Sequence, residues 1–212
     1  MTTRIGVVAD SHVGEFIERL PAGAAVALEG CDLILHAGDL CDLSVVDELS
    51  AIAPTLAVRG DHDRGAARRL PRDQLIEIQG RRIGLTHGRR SRVFEYSIVL
   101  AHIAAGRRLR YRAGLHRALV RRFGRIDCLV YGHWHEPTLE QVGEVQCFSP
   151  GAVCPWGNLE GDRPVRPGVA GISDRAVRRY RSQLGTDAMR PRVGIIELPP
   201  EGGIRARSVA ID

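Results

Sequence analysis

The chain has 212 residues, 44% hydrophobic and 26% charged, which is ordinary globular composition and excludes a disordered or low-complexity protein. No apolar run approaches the roughly 18 residues a membrane span requires, and Asp10 falls where the apolar core of a secretory signal would lie, so a soluble, non-exported chain is expected. The net charge of +5 is carried without any lysine, all 30 basic residues being arginine, which points to a phosphate-binding surface or to an arginine-biased genome.

Short β-branched runs recur along the chain: Ile5 to Val8, Leu33 to Leu35, Thr55 to Val58, Ile83 to Thr86, Cys128 to Tyr131 and Val145 to Phe148. Between the early runs lie helical patterns. Phe16, Ile17 and Leu20 share a helix face after Val13, and Ser44 to Ile52 places Val45, Val46, Leu49 and Ile52 at helical spacing with Ser44 as N-cap. This alternation builds a layered α/β sheet. Beyond His135 strand follows strand: Leu139 to Val142, Val145 to Phe148, Arg192 to Leu198 and Ile204 to Ile211, the first two joined by a Gly143-Glu144 turn, which predicts a second, more antiparallel sheet packed on the first.

Two segments read as elaborations of a single domain spanning 1–212. Residues 89–125 hold eleven arginines against the single acid Glu95, with Phe94, Ile98 and Ile103, then Leu115, Leu119 and Phe123, suiting one or two amphipathic helices. Residues 155–172 are Pro- and Gly-rich and too long for a plain connection, so they predict a lid or a mobile loop, with a helix from about 173 to 184 completing an elaboration that reaches about 190. The five cysteines, Cys31, Cys41, Cys128, Cys147 and Cys154, are odd in number and contain no CxxC pair. Reduced, mostly buried thiols in a cytoplasmic protein are therefore expected.

The chemistry gathers just past the strands: Asp10 and His12; Gly38 and Asp39; Gly60, Asp61 and His62; His87 and Gly88; His133 and His135. Ligand sites in open α/β sheets lie beyond the carboxyl ends of the strands. In Asp10-Ser11-His12 and His133-Trp134-His135 the two side chains are two residues apart, which on an extended backbone points both to one side, so each pair is expected to bite one metal centre. Imidazoles mixed with carboxylates suit first-row cations such as Mn(II), Fe, Co or Zn, and seven ligands fit two ions sharing a carboxylate. His36, His102 and His116 fall outside this pattern and read as packed or solvated histidines, and Trp134 as wall or packing.

The ordered set Asp10/His12, Gly38-Asp39, Gly60-Asp61-His62-Asp63, His87-Gly88 and Gly132-His133-Trp134-His135 resembles the calcineurin-like metallophosphoesterases, most closely the small bacterial and archaeal phosphodiesterase subgroup. The resemblance spans about residues 4–152 and includes Ser149-Pro150-Gly151, similar to the family's Asn-Pro-Gly turn with its Asn replaced. It implies a four-layer αββα sandwich of two mixed sheets flanked by helices, and a phosphoesterase with two divalent ions, manganese first and iron, zinc, cobalt or nickel as other candidates. One ion would take Asp10, His12, Asp39 and His135; the other would take Asp39 as the bridge, with Asp61, His87 and His133. A hydroxide shared by the ions would attack phosphorus while His62 assists the leaving group, with Asp63 orienting His62 or standing as a turn carboxylate.

Two positions depart from the family. Asp61 stands where asparagine is usual, so three carboxylates and a shared hydroxide would cancel two divalent cations, where asparagine leaves one positive charge. Arg89 stands where a histidine often follows the His-Gly pair, and Arg89 or Arg90 is a candidate contact for a substrate phosphate. The expected partner is a small phosphate ester, preferably a diester, with no membrane; a dimer stays open. The competing readings are a scaffold built on the same fold, as in the small retromer subunit, and a nuclease using the arginine-rich segment, whose aromatics Phe94, Tyr96, Tyr111 and Phe123 are few for base stacking.

Overall fold

The computed structural model describes residues 1–91, 93–95, 97, 101, 114–155, 168, 171, 172, 175, 178, 182 and 186–211. Ten strands form two five-stranded sheets. The first has the order β10-β9-β1-β2-β3, built from β1 (Thr3–Val8), β2 (Leu33–His36), β3 (Thr55–Ala57), β9 (Arg192–Leu198) and β10 (Arg205–Ala210). The second has the order β4-β5-β6-β8-β7, built from β4 (Asp73–Ile78), β5 (Arg81–Thr86), β6 (Cys128–Val130), β7 (Thr138–Val142) and β8 (Val145–Ser149).

Both sheets are mixed. In the first, β1, β2 and β3 run parallel while β9 and β10 are antiparallel; in the second, β5, β6 and β8 run parallel between antiparallel β4 and β7. Alternation along the strands sorts side chains to two faces. Ile5, Val7 and Leu35 from one sheet meet Ile83, Leu85, Val130 and Phe148 from the other in a shared inner core. Val8 and Ile34 face outward onto α1 (Ala22–Leu28) and α2 (Ser44–Ser50), through Ala24, Leu28, Val45 and Leu49. On the far side, Leu129 and Cys147 pack against Leu115 and Leu119 of α3 (Leu115–Phe123). Helices, sheet, sheet and helix make the four layers expected.

Four local expectations differ from the structure. The residues after Val13 form a tight turn closed by a Val13–Ile17 bridge, and the helix begins only after Pro21, because Phe16, Ile17 and Leu20 are spent on folding the chain back toward its sheet. Ser44 lies inside α2 rather than capping it, and the Asp42 carboxylate accepts the Ser44 amide at 2.8 Å. β4 was not anticipated: its alternating exposure reflects an edge strand, paired to β5 through a Gln79-Gly80 turn with φ of 49 and 72°. The late strands divide: β7 and β8, joined at Gly143-Glu144, stay in the second sheet, whereas β9 and β10 return to the first.

The expected helical stretch through Phe94, Ile98 and Ile103, the helix at about 173–184, the loop at 155–172 from Trp156 onward, and His102, Tyr96 and Tyr111 lie largely or wholly outside the described residues. All five cysteines are free, four of them buried. Among the described residues no helix is long and apolar enough to cross a membrane.

Candidate metal centre

The loops after β1, β2, β3, β5 and β6 converge at one rim, stitched within each sheet by main-chain hydrogen bonds and across the two sheets by the Asp10 carboxylate. Asp10 N donates to Gly38 O at 3.1 Å, His12 N to Asp39 O at 2.9 Å and Gly132 N to His87 O at 3.2 Å. The Asp10 carboxylate takes the His133 amide at 2.9 and 3.0 Å. Asp10, His12, Asp39, His133 and His135 all sit in the left-handed region, with φ between 51 and 75°. Each such residue costs roughly 1–2 kcal/mol, so the strain of this fold is concentrated where the functional side chains are aimed.

Close approach explains the glycines of the motifs. A Cβ on Gly60 would stand 2.2 Å from Asp39 Oδ1 and 2.3 Å from Asp39 N, and one on Gly132 would stand 2.7 Å from Asp10 Oδ2. Gly60→Ala is expected to displace the Asp39 carboxylate and to cost about 1–3 kcal/mol by overpacking; a thermal melt, with metal bound per chain measured alongside, checks both effects.

Among the described residues, predicted ligands gather in two groups whose donor atoms lie within 4.8 Å of one another, Asp10, His12 and His135 and then Asp61, His87 and His133, and a third such group, Asp10, Asp39 and His87, links the two. Asp39 lies between them, its Oδ2 3.9 Å from His12 Nε2 and 3.3 Å from His87 Nε2. His133 and His135 therefore part company, against the expectation that their spacing would make them one pair. The same-side rule holds for an extended chain, and at φ of 75 and 56° the backbone is not extended.

Each of these histidines is oriented from behind. His87 Nδ1 donates to Ala37 O at 2.9 Å, His135 Nδ1 to Pro155 O at 3.3 Å and His133 Nε2 to Glu95 Oε2 at 3.1 Å, so the other nitrogen of each ring faces the clusters with a lone pair. His87 Nε2 is buried with no hydrogen-bond partner among the described residues, yet Asp39 is beside it. A lone pair facing carboxylates needs a cation between them. Without one, a proton serves: burial opposes it, but Asp39, then Asp10 and Asp61, push His87 up to about 10. Burial would raise the Asp39 carboxyl, yet His87, His12 and His62 hold it well below the carboxylate range, while burial lifts Asp10 well above it and pushes His135 down to about 3. This donor set fits divalent metal ions.

Sequence reasoning missed two neighbours, Glu95 and Glu15, and the pairing of Arg89 with Asp61. Glu95, the lone acid of the arginine-rich segment, secures His133 and takes the Arg90 amide at 3.0 Å; its isolation among arginines was the available signal. Arg89 pairs with Asp61 Oδ1, and Asp61 Oδ2 lies 3.5 Å from His133 Nδ1. Arg90 packs over the Phe94 ring, its Cζ 4.7 Å from the centroid. Glu15 binds His62 Nδ1 at 2.8 Å. Asp63 is placed otherwise than an orienting partner of His62 would be. Its buried carboxylate accepts Cys41 N at 2.8 Å and Gly60 N at 2.7 Å, bracing the loops after β2 and β3.

His36 and His116 are packed histidines. His116 lies between Tyr131 OH at 2.8 Å and Glu140 at 3.0 Å. His36 Nδ1 accepts Gly38 N at 3.2 Å, so its Nε2 donates to Ser11 Oγ at 3.0 Å; both nitrogens are used, with no room for a second proton. Burial holds His36 at about 3, against an ordinary value of 6.5. The unfolded chain then binds the proton first, so this contribution to stability is complete above pH 6.5 and is lost as pH falls toward 3, at up to about 1.4 kcal/mol per pH unit. His36→Gln should flatten the pH dependence of the urea midpoint between pH 7 and 4, whatever its effect at pH 7.

Known proteins point the same way. The model of the calcineurin-like phosphoesterase superfamily domain matches residues 3–165. A probable metallophosphoesterase of Methanothermobacter thermautotrophicus is 32% identical over 148 residues, 70% of this chain and 76% of that one. A phosphodiesterase of Methanocaldococcus jannaschii is 25% identical over 195 residues, covering 84% of this chain and 96% of its own. Among solved structures, Vacuolar Protein Sorting 29 from Cryptosporidium parvum shares the fold with a TM-score of 0.62 at 15% identity, over 99% of this chain and 98% of that one.

Proposed function

The chain belongs to the calcineurin-like phosphoesterase superfamily, and we propose that it is a binuclear metal-dependent phosphodiesterase. The observation that carries this reading is the Asp39 carboxylate standing between two groups of imidazole and carboxylate donors, Asp10, His12 and His135 on one side and Asp61, His87 and His133 on the other. Divalent ions held there supply Lewis acidity at the phosphoryl oxygens and acidify a water. Manganese suits the mixed nitrogen and oxygen donors, with iron, zinc, cobalt and nickel following the same chemistry.

The chain's own residues do the rest. Asp39 Oδ1 accepts the His62 amide at 2.7 Å, so the residue between the two groups also positions the histidine at the rim. His62, about one-third exposed, is placed to give a proton to the departing oxygen. Arg89, beside Asp61, would offer its guanidinium to a non-bridging phosphate oxygen. The preference for diesters is supported by the relative named a phosphodiesterase.

The test is hydrolysis of bis(4-nitrophenyl) phosphate against 4-nitrophenyl phosphate with each ion in turn. Faster Mn(II)-dependent turnover of the diester, abolished by chelation, is expected. Absence of turnover with every ion would leave the fold as a binding scaffold, and polynucleotide cleavage with steep salt inhibition would favour a nuclease.

A further inference from the structure

The turn that replaces the expected helix after Val13 carries Glu15 back over the rim, its Phe16 amide donating to His12 O at 3.0 Å. Glu15 Oε2 lies 2.8 Å from His62 Nδ1 and accepts Cys41 Sγ at 3.2 Å, while Oε1 accepts Arg64 Nη2 at 2.6 Å. Its side chain is only 14% exposed. With the Arg64 guanidinium on one oxygen and the Cys41 thiol on the other, the Glu15 carboxylate is placed as an acceptor. An anionic acceptor at this distance keeps a proton on Nδ1. The rings of His12 and Phe16 stand edge-on to His62, with centroids 4.9 and 6.0 Å away, and fix its plane.

We propose that Glu15 is the positioning residue of His62, fixing its tautomer and ring orientation so that Nε2 is the nitrogen that serves the leaving group. The inference rests on the phosphodiesterase reading. As water adds to phosphorus, the bond to the leaving oxygen breaks and takes its electron pair to that oxygen. The Nε2 proton of the imidazolium moves onto the oxygen, leaving neutral His62 with its proton on Nδ1, still donated to the Glu15 carboxylate, and the proton lost by the attacking water restores the imidazolium through solvent. Phosphodiester and water thus become phosphomonoester and alcohol.

The experiment compares the metal-loaded full chain with Glu15→Gln, Glu15→Ala and His62→Ala on two diesters, bis(4-nitrophenyl) phosphate and methyl phenyl phosphate. 4-Nitrophenolate leaves without a proton and phenolate needs one. Both Glu15 variants should lose about 10- to 100-fold in kcat on methyl phenyl phosphate, change little on bis(4-nitrophenyl) phosphate, keep KM and bound metal, and lose nothing further when combined with His62→Ala. Equal losses on both substrates would overturn the proposal by making Glu15 a residue of the fold alone. Loss of bound metal would overturn it by making Glu15 a ligand with His12 and Cys41, a further donor group on this rim. The ¹⁵N spectrum of histidine-labelled protein reads the inference apart from turnover: wild-type His62 should carry its proton on Nδ1 and both variants should shift toward the Nε2 form. A wild type already in the Nε2 form would sink the inference, whereas inactivity on both diesters with the Nδ1 form intact would count against the phosphodiesterase reading.

Discussion

Asp39→Asn should strip the protein of tightly held metal and lower phosphodiester turnover by roughly a thousandfold or more, since metal ions contribute several kcal/mol of transition-state stabilisation and each ~1.4 kcal/mol is tenfold. The substitution is close to isosteric and keeps an oxygen for the His62 amide, now 2.7 Å from Oδ1. What it removes is the anion that His87 Nε2 faces at 3.3 Å and His12 Nε2 at 3.9 Å. Without it neither donor group has the carboxylate between them. The fold should survive, because His87, held at about 10 mainly by Asp39, can release its proton and stay neutral in its pocket. Metal analysis after desalting, steady-state rates and a thermal melt separate the effects. A variant that retains two ions and wild-type turnover would refute the central position given to Asp39.

The second large effect concerns Asp61 and Arg89 together. Taken alone, Asp61 in place of the family's usual asparagine adds a negative charge and should weaken attraction for a phosphate. In the structure that charge is answered by the Arg89 guanidinium on Oδ1, while Oδ2 stays toward His133. The pair replaces two ordinarily neutral side chains by an anion and a cation, so the charge of the site is close to that of its relatives. Asp61→Asn should loosen metal about 10- to 100-fold and leave Arg89 facing the Glu95 carboxylate at 4.0 Å without its closer partner, lowering KM for the diester. Arg89→Met should do the reverse, tightening metal and raising KM about tenfold, the scale of one lost hydrogen bond between charged groups. The double variant should fall well short of the sum of the two changes, as expected for residues in contact. Metal competition with a chromogenic chelator and Michaelis curves for the four proteins would show it. Strict additivity would mean that the two side chains act separately.

Much of this was readable before any coordinates, for a local reason. Each ligand follows a strand directly, so a β-branched run ending in Asp or His announces itself within a dozen residues, and β9 matches its predicted bounds, Arg192–Leu198. Where the reading failed, period was a poor guide to the partner. Phe16, Ile17 and Leu20 have helical spacing but serve a turn, and the edge strand β4 escaped because its side chains alternate without a strongly apolar face.

By itself the sequence determined the ligand types, their order and the strand ends that carry them, because side-chain chemistry and backbone period are properties of neighbouring residues. Spacing alone joined His133 to His135, and the division that the family resemblance implies finds its physical cause only in the tertiary structure. His133 and His135 are sent to different groups by left-handed backbone, and Glu15 reaches His62 across 47 residues, Arg89 reaches Asp61 across 28 and Glu95 reaches His133 across 38. Loops leaving two separate sheets are fixed against each other by hydrogen bonds and close packing, and no periodicity along one chain encodes a distance between two.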